Sequence, residues 1–129
     1  LAGFSQNLRP ELLFNAMTIS AAQKKVVYVR NSAAMRTILF LSDLWSFVKA
    51  LLSQYHPPGV YNLGSQSASI LGFAEAIAAW WGAEIVVEPD SPTYSFALDT
   101  SLMRRICGAL ELRTLGEMSA DFMSSFQRN

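Results

Sequence analysis

Arg36 is the side chain whose chemistry stands out. It sits just before an apolar run, Ile38 to Leu41, which leads through Ser42 and Asp43 into an amphipathic stretch. A guanidinium can donate paired hydrogen bonds to a phosphate or carboxylate, so Arg36 is a candidate anion contact. The plain alternative is a surface arginine that orders the preceding loop, residues 30–35. The other chemically capable residues read more simply. Asp43 stands at a helix start, where a carboxylate caps the helix rather than acting as acid or base. Glu88 and Asp90 form a loop pair, not a positioned acid/base couple. His56, the one histidine, precedes two prolines, has no partner at metal spacing, and is expected to be exposed. Cys107, the one cysteine, is followed by Gly108 at a helix end, where the dipole disfavours a thiolate; it reads as a small core residue. Turn-forming hydrogen bonds account for Asn62 and Ser65.

These residues must be positioned by short elements. Pro10 suits the first turn of a helix. Leu12, Leu13, Ala16, Met17, Ser20 and Ala21 continue it at helical spacing, and Lys24 and Lys25 close its negative end. Val26 to Val29 is a β-branched strand, and Ile38 to Leu41 a second strand. Leu44, Phe47, Val48, Leu51 and Leu52 share one face of the next helix, which ends near Gln54. Pro57, Pro58 and Gly59 break the chain. Val60 to Leu63 reads as a strand and Gly64 to Ser69 as a polar loop with Ser69 as a helix N-cap. Ile70, Phe73, Ala74, Ile77, Ala78 and Trp81 repeat at helical spacing up to Gly82, a C-terminal cap. Trp80 lies off that stripe, facing a second buried surface or a partner. Glu84 to Glu88 is a strand, Pro89 to Pro92 a turn, and Tyr94 to Leu98 an alternating strand. Asp99 or Thr100 caps a short helix that stops at Gly108. Thr114-x-x-Glu117 is a capping box, opening a helix with Leu115, Met118, Phe122 and Phe126 on one side. The order, α, β, β, α, β, α, β, β, α, α, predicts an α/β fold with some parallel pairing.

Composition bounds the function. The 129 residues predict one domain, residues 1–129. Hydrophobic content is 51% and charged content 16%, against about 25% charged in typical domains. The excess is dispersed, and no apolar run approaches the roughly 18 residues of a membrane span. It predicts a core plus a surface that expects a partner. The net charge of zero gives no electrostatic case for nucleic acid or an anionic membrane. One cysteine excludes an intrachain disulfide and fits a reducing, cytoplasmic compartment. The first ten residues do not read as a signal peptide.

Four segments, in order, carry a resemblance to the C-terminal part of the extended short-chain dehydrogenases/reductases, the NAD-dependent epimerase/dehydratase family acting on nucleotide sugars. They are LRPELLFNAMTISAAQKKVVYV, RTILFLSDLWSFVKALL, GVYNLGSQSASILGFAEAIAAWWG and FALDTSLMRRICG. Two family features are absent. No Gly-x-x-Gly-x-x-Gly fingerprint is present to hold a dinucleotide pyrophosphate at a helix N-terminus. No Tyr-x-x-x-Lys pair exists: Tyr28, Tyr55, Tyr61 and Tyr94 are followed four residues later by Ser32, Gly59, Ser65 and Leu98.

The resemblance implies a small domain of short strands and four to five helices, without the complete Rossmann domain. It implies that Arg36 contacts a substrate diphosphate. Asn15 is placed where some members reach the nucleotide, and its plain reading is an exposed helix asparagine. Arg9 is a further candidate contact to sugar or phosphate, otherwise a solvated loop charge. Tyr94 is a candidate base-stacking residue, otherwise packed in the core or at a strand edge. Many members carry an arginine a few residues before the aspartate matched by Asp99; here Thr93, Tyr94 and Ser95 occupy that stretch.

The expected function is therefore the substrate-binding portion of an NAD(P)-dependent nucleotide-sugar epimerase/dehydratase. The chain carries no catalytic residue and binds no cofactor or metal alone, NAD or NADP being held by an N-terminal Rossmann domain. It is either a fragment of that enzyme or an independent small protein. The alternative is a stand-alone, non-enzymatic interaction module that buries its apolar surface by forming a homodimer.

Overall fold

The computed structural model describes residues 1–53, 55–107 and 113–128. Among these residues, five helices and four short strands follow one another as α1 (Leu13–Lys24), β1 (Val26–Val29), β2 (Met35–Ile38), α2 (Leu41–Ser53), β3 (Gln66–Ser69), α3 (Ile70–Trp81), β4 (Glu84–Val87), α4 (Ser101–Cys107) and α5 (Leu115–Phe126). The strands form two separate pairs. β1 and β4 are parallel, with Val26 opposite Glu84 and Val29 opposite Val87. β2 and β3 are antiparallel, with Met35 opposite Ser69 and Ile38 opposite Gln66.

The core lies where α1, α3 and α5 pack together and where α1 and α3 cover β1. Val27 and Val29 point into it while Tyr28 faces out, the alternation of a half-buried strand. Phe14 is its aromatic centre, edge-on to Phe40 at 4.9 Å and to Phe122 at 6.1 Å. Such pairs add about 1 kcal/mol each beyond area burial. The stripe on α3 is buried as its spacing dictates, with Phe73, Ala74 and Ile77 fully inaccessible. The Ser69 hydroxyl accepts from the Gly72 amide, and Gly82 closes α3 in the left-handed region at φ 59°. On α5 the capping box is complete: Thr114 and Glu117 exchange hydrogen bonds.

Several elements depart from the sequence expectation. α1 starts at Leu13; Pro10 and Glu11 form a turn closed by the Leu12 amide on the Arg9 carbonyl. Its buried face runs through Phe14, Met17, Thr18 and Ala21, not Ala16, because neighbours cover it on more than one side. β2 lies three residues earlier than expected. Its pairing with β3 ends at Ile38, and the chain then makes only an isolated bridge from Phe40 to Ala2 before α2 opens at Leu41. Asp43 is thus inside the first turn of α2 rather than its N-cap, though still near the positive end of the helix. The apolar face of α2 stops short of Leu52, which is 79% exposed.

Val60 to Leu63 is not a strand, and the polar stretch after it is. A strand exists only where a neighbour takes its backbone groups. Gln66–Ser69 finds β2, with the Ser67 and Thr37 hydroxyls 2.8 Å apart, whereas Val60 stands 88% exposed. Tyr94 to Leu98 likewise forms no regular strand. It runs beside β2, but hydroxyls replace part of the ladder: the Met35 amide donates to Ser95 Oγ (2.8 Å), the Leu98 amide to Thr37 Oγ1 (2.9 Å), and the Phe96 amide to the Met35 carbonyl (3.1 Å). The expected ends at Gln54 and Gly108 lie outside the described residues.

Candidate functional site

Of the four residues singled out for ligand contact, two pairs meet. Arg36 and Tyr94 form one pair. Arg36 projects from β2, and its guanidinium lies 4.5 Å from the centre of the Tyr94 ring and 5.7 Å from that of Phe96. Nη1 donates to the carbonyls of Met35 (2.7 Å) and Tyr94, and Nη2 to Thr93 Oγ1 (2.9 Å). The arginine therefore orders the 93–96 segment; of the loop that precedes it, it bonds only Met35. Among the described residues no carboxylate pairs with it.

Arg9 and Asn15 form the second pair. Asn15 is 2% exposed, against the expectation of a surface asparagine. Its Nδ2 donates to the Arg9 carbonyl at 2.9 Å, while its Oδ1 is buried with no partner among the described residues. The Arg9 side chain points to solvent and pairs with Glu11 at 2.6 Å. The Glu11 backbone N–H, and then Arg9, hold the Glu11 carboxyl below its ordinary range. An exposed pair of this kind contributes about 0–1 kcal/mol.

Two small clefts separate these pairs and share Leu1, Ala2 and Leu12 on their walls. One, of about 140 Å³, is lined also by Leu13, Phe14, Arg36, Thr37 and Ile38. The other, of about 230 Å³, is lined also by Ser5, Asn7, Leu8, Arg9, Asn15 and Leu41. Each is an apolar groove with few polar groups, smaller than the roughly 300–1,000 Å³ of the usual small-molecule site. Tyr94, 71% exposed, lies on neither wall.

The remaining chemically capable residues are tied into structure. Glu88 pairs with Arg30 at 2.7 Å, and Asp90 Oδ1 accepts from the Asn31 amide at 2.7 Å. Ser65 is buried and accepts from the Phe40 amide at 3.0 Å, a long-range link rather than a local turn. Asn62 Nδ2 donates to the Asp99 carbonyl at 3.2 Å. Asp99 takes the Ser101 amide at the start of α4, which pulls its carboxyl down. Partial burial pushes the Cys107 thiol up, away from the reactive thiolate. His56 is half-buried rather than exposed, and its Nε2 has no partner among the described residues. Among the described residues no three His, Cys, Asp or Glu side chains gather as a metal set, and no helix is long and apolar enough to cross a membrane. The start of α3 does not fit a dinucleotide pyrophosphate. Where a strand runs straight into α3, the helix N-terminus is already closed by the Ser69 side chain, with no glycine-rich turn before it.

Sequence reasoning missed Thr93 as a partner of Arg36 and missed the burial of Asn15. The clue to the first was a Thr-Tyr-Ser stretch in place of a cation. The clue to the second was Phe14, which turns the buried face of α1 toward Asn15.

No family model and no curated protein matches the chain. Solved structures do. A NAD-dependent NDP-hexosamine 5,6-dehydratase, TunA, involved in tunicamycin biosynthesis superposes with a TM-score of 0.71 at 20% identity, over 98% of this chain and 43% of its own. dTDP-glucose 4,6-dehydratase from Bacillus anthracis, in complex with NAD, gives 0.70 at 17% identity, over 99% and 43%. UDP-glucuronic acid 4-epimerase from Bacillus cereus, in complex with UDP-glucuronic acid and NAD, gives 0.70 at 16% identity, over 97% and 42%. The chain thus spans less than half the length of the structures it matches, a coverage that fits the C-terminal part implied by the four motifs. Its fold is that of part of an extended short-chain dehydrogenase/reductase of the NAD-dependent dehydratase and epimerase type.

Proposed function

We propose that this chain is the substrate-binding portion of an NAD(P)-dependent nucleotide-sugar epimerase or dehydratase and that it is not catalytic by itself. Residues 1–129 act as one domain. Arg36 takes the anionic part of the nucleotide sugar, with Asn15 and Arg9 contacting it from the neighbouring cleft and Tyr94, beside the guanidinium, as the base-stacking residue. The dinucleotide and the Tyr-x-x-x-Lys acid/base pair belong to a separate N-terminal Rossmann domain, in a cytoplasmic enzyme. The observation that carries this reading is a cation on a cleft wall with no acidic partner among the described residues. Its support is a fold shared with enzymes crystallised with UDP-glucuronic acid or UDP.

Calorimetry with UDP-glucuronic acid and UDP tests it. Charge-assisted bonds to one phosphate contribute about 1.5–3 kcal/mol, so Arg36→Ala is expected to weaken binding about 10- to 100-fold. Equal affinity of the variant and the parent would sink the proposal.

A second reading, a self-associating module without redox chemistry, is favoured by a different observation. Trp45 is 61% exposed and Val87 62%, and Val60 is nearly bare. Such side chains suit burial against a second copy. Solution mass decides it: a homodimer with no nucleotide-sugar heat supports this reading, and a monomer that binds UDP removes it.

A further inference from the structure

We infer that Thr93, together with the carbonyls of Met35 and Tyr94, positions Arg36 so that a single fork of its guanidinium is left to take one phosphate or carboxylate group. This rests on the reading of Arg36 as the anion contact. A guanidinium has five N–H groups fixed in one plane. Nη1 gives both of its hydrogens to backbone carbonyls, and Nη2 gives one to Thr93 Oγ1. Nε–H and the other Nη2–H have no partner among the described residues. With Thr93 on the Nη2–H that faces Nη1, these two lie on the same side of the guanidinium, the arrangement that matches two oxygens of one anionic group.

The holding contacts are themselves anchored. Ser95 Oγ accepts from the Met35 amide and the Phe96 amide donates back to the Met35 carbonyl, so the segment that orients Arg36 is tied to the strand that carries it. The Tyr94 ring covers one guanidinium face. Rotation about the last side-chain bonds is therefore blocked before any ligand arrives, which removes an ordering cost from binding. Thr93 is a positioning residue: it touches Arg36, not the ligand.

The test uses inorganic pyrophosphate and, separately, UDP, titrated into the parent chain and the Thr93→Ala, Thr93→Ser and Arg36→Ala variants. Calorimetry gives affinity, proton–nitrogen NMR follows the Arg36 Nε–H signal, and a melting curve checks that each variant is folded. Thr93→Ala is expected to weaken binding about three- to tenfold, the effect of losing one positioning hydrogen bond. Thr93→Ser should restore it, and the Nε–H signal should move on saturation. If Thr93→Ala binds as well as or better than the parent while Arg36→Ala does not bind, the segment only covers Arg36, and the positioning role falls with the site intact. The positioning role falls in the same way if Thr93→Ser is as weak as Thr93→Ala. If the parent shows no Arg36-dependent binding, the reading of the site falls and the positioning role with it.

Discussion

Trp81 on α3 donates its indole N–H to the hydroxyl of Ser119 on α5 at 3.0 Å, and that hydroxyl donates in turn to the Gly116 carbonyl at 2.7 Å. Ser119 is fully buried, so this short chain of hydrogen bonds satisfies the polar groups at the α3–α5 interface. Removing the hydroxyl leaves the indole donor without a partner. Ser119→Ala is expected to cost about 1–3 kcal/mol, read as a lower denaturation midpoint in urea. A double-mutant cycle with Trp81→Phe should recover part of that loss, because the orphaned donor is then gone too.

Gly116, next to this chain, carries the Trp80 ring. A methyl group built on Gly116 would run into the ring atoms Cε3, Cδ2 and Cγ, the body of the side chain and not a flexible tip. Gly116→Ala therefore forces the indole off its seat despite the better helix propensity of alanine. The expected loss is about 1–3 kcal/mol. Trp80 fluorescence should shift as its half-exposed ring moves further into water, and Trp80→Ala in the same chain should relieve much of the penalty.

Thr18 is fully buried and its hydroxyl has no partner among the described residues. A buried hydroxyl left unpaired costs about 1–3 kcal/mol. Thr18→Val keeps the branched shape and removes the polar atom, so it is expected to raise stability by about 1 kcal/mol. A lower urea midpoint in Thr18→Val would show that the hydroxyl has found a partner.

Glu117 sets an acid limit on α5. Its carboxyl is held below the ordinary range first by the Thr114 backbone N–H and then by the Thr114 side chain. A carboxylate lowered in the folded state contributes stability above its unfolded pKa and loses it as pH falls through the folded pKa. Stability measured from neutral pH downward should therefore drop in the acid range. Glu117→Gln should flatten that drop, with the variant less stable than the parent at neutral and alkaline pH and equal to it in acid. An unchanged acid limb would assign the loss to other carboxylates, Asp99 being the next lowered by a helix-start amide.

Elements whose residues settle their own geometry were legible from the sequence. The Ser69 cap, the Gly82 stop, the Thr114–Glu117 box and the α3 stripe are local, and each stands where its residues put it. What depends on a distant neighbour was not legible. Val60 to Leu63 has strand-forming residues but no ladder, and Gln66–Ser69 has polar residues but finds β2. The same holds at the site. Arg36 could be picked out, but its clamp joins residues almost sixty positions apart. Asn15 could be named, but its burial follows from helices packing on two sides of α1.

The β1–β4 pair carries a kinetic consequence. Lys25 Nζ reaches the Trp81 carbonyl across a sequence separation of 56, and Arg30 reaches Glu88 across 58, so both ends of this two-stranded sheet are fastened by partners far apart in the chain. β2, α2, β3 and α3 must all be spooled out between them before any contact of the pair can reward the loop closure. Contacts of that range raise the contact order and slow folding. The α1–β1 junction can form early from neighbouring residues, while the sheet beside it waits for the last helix of the loop to dock.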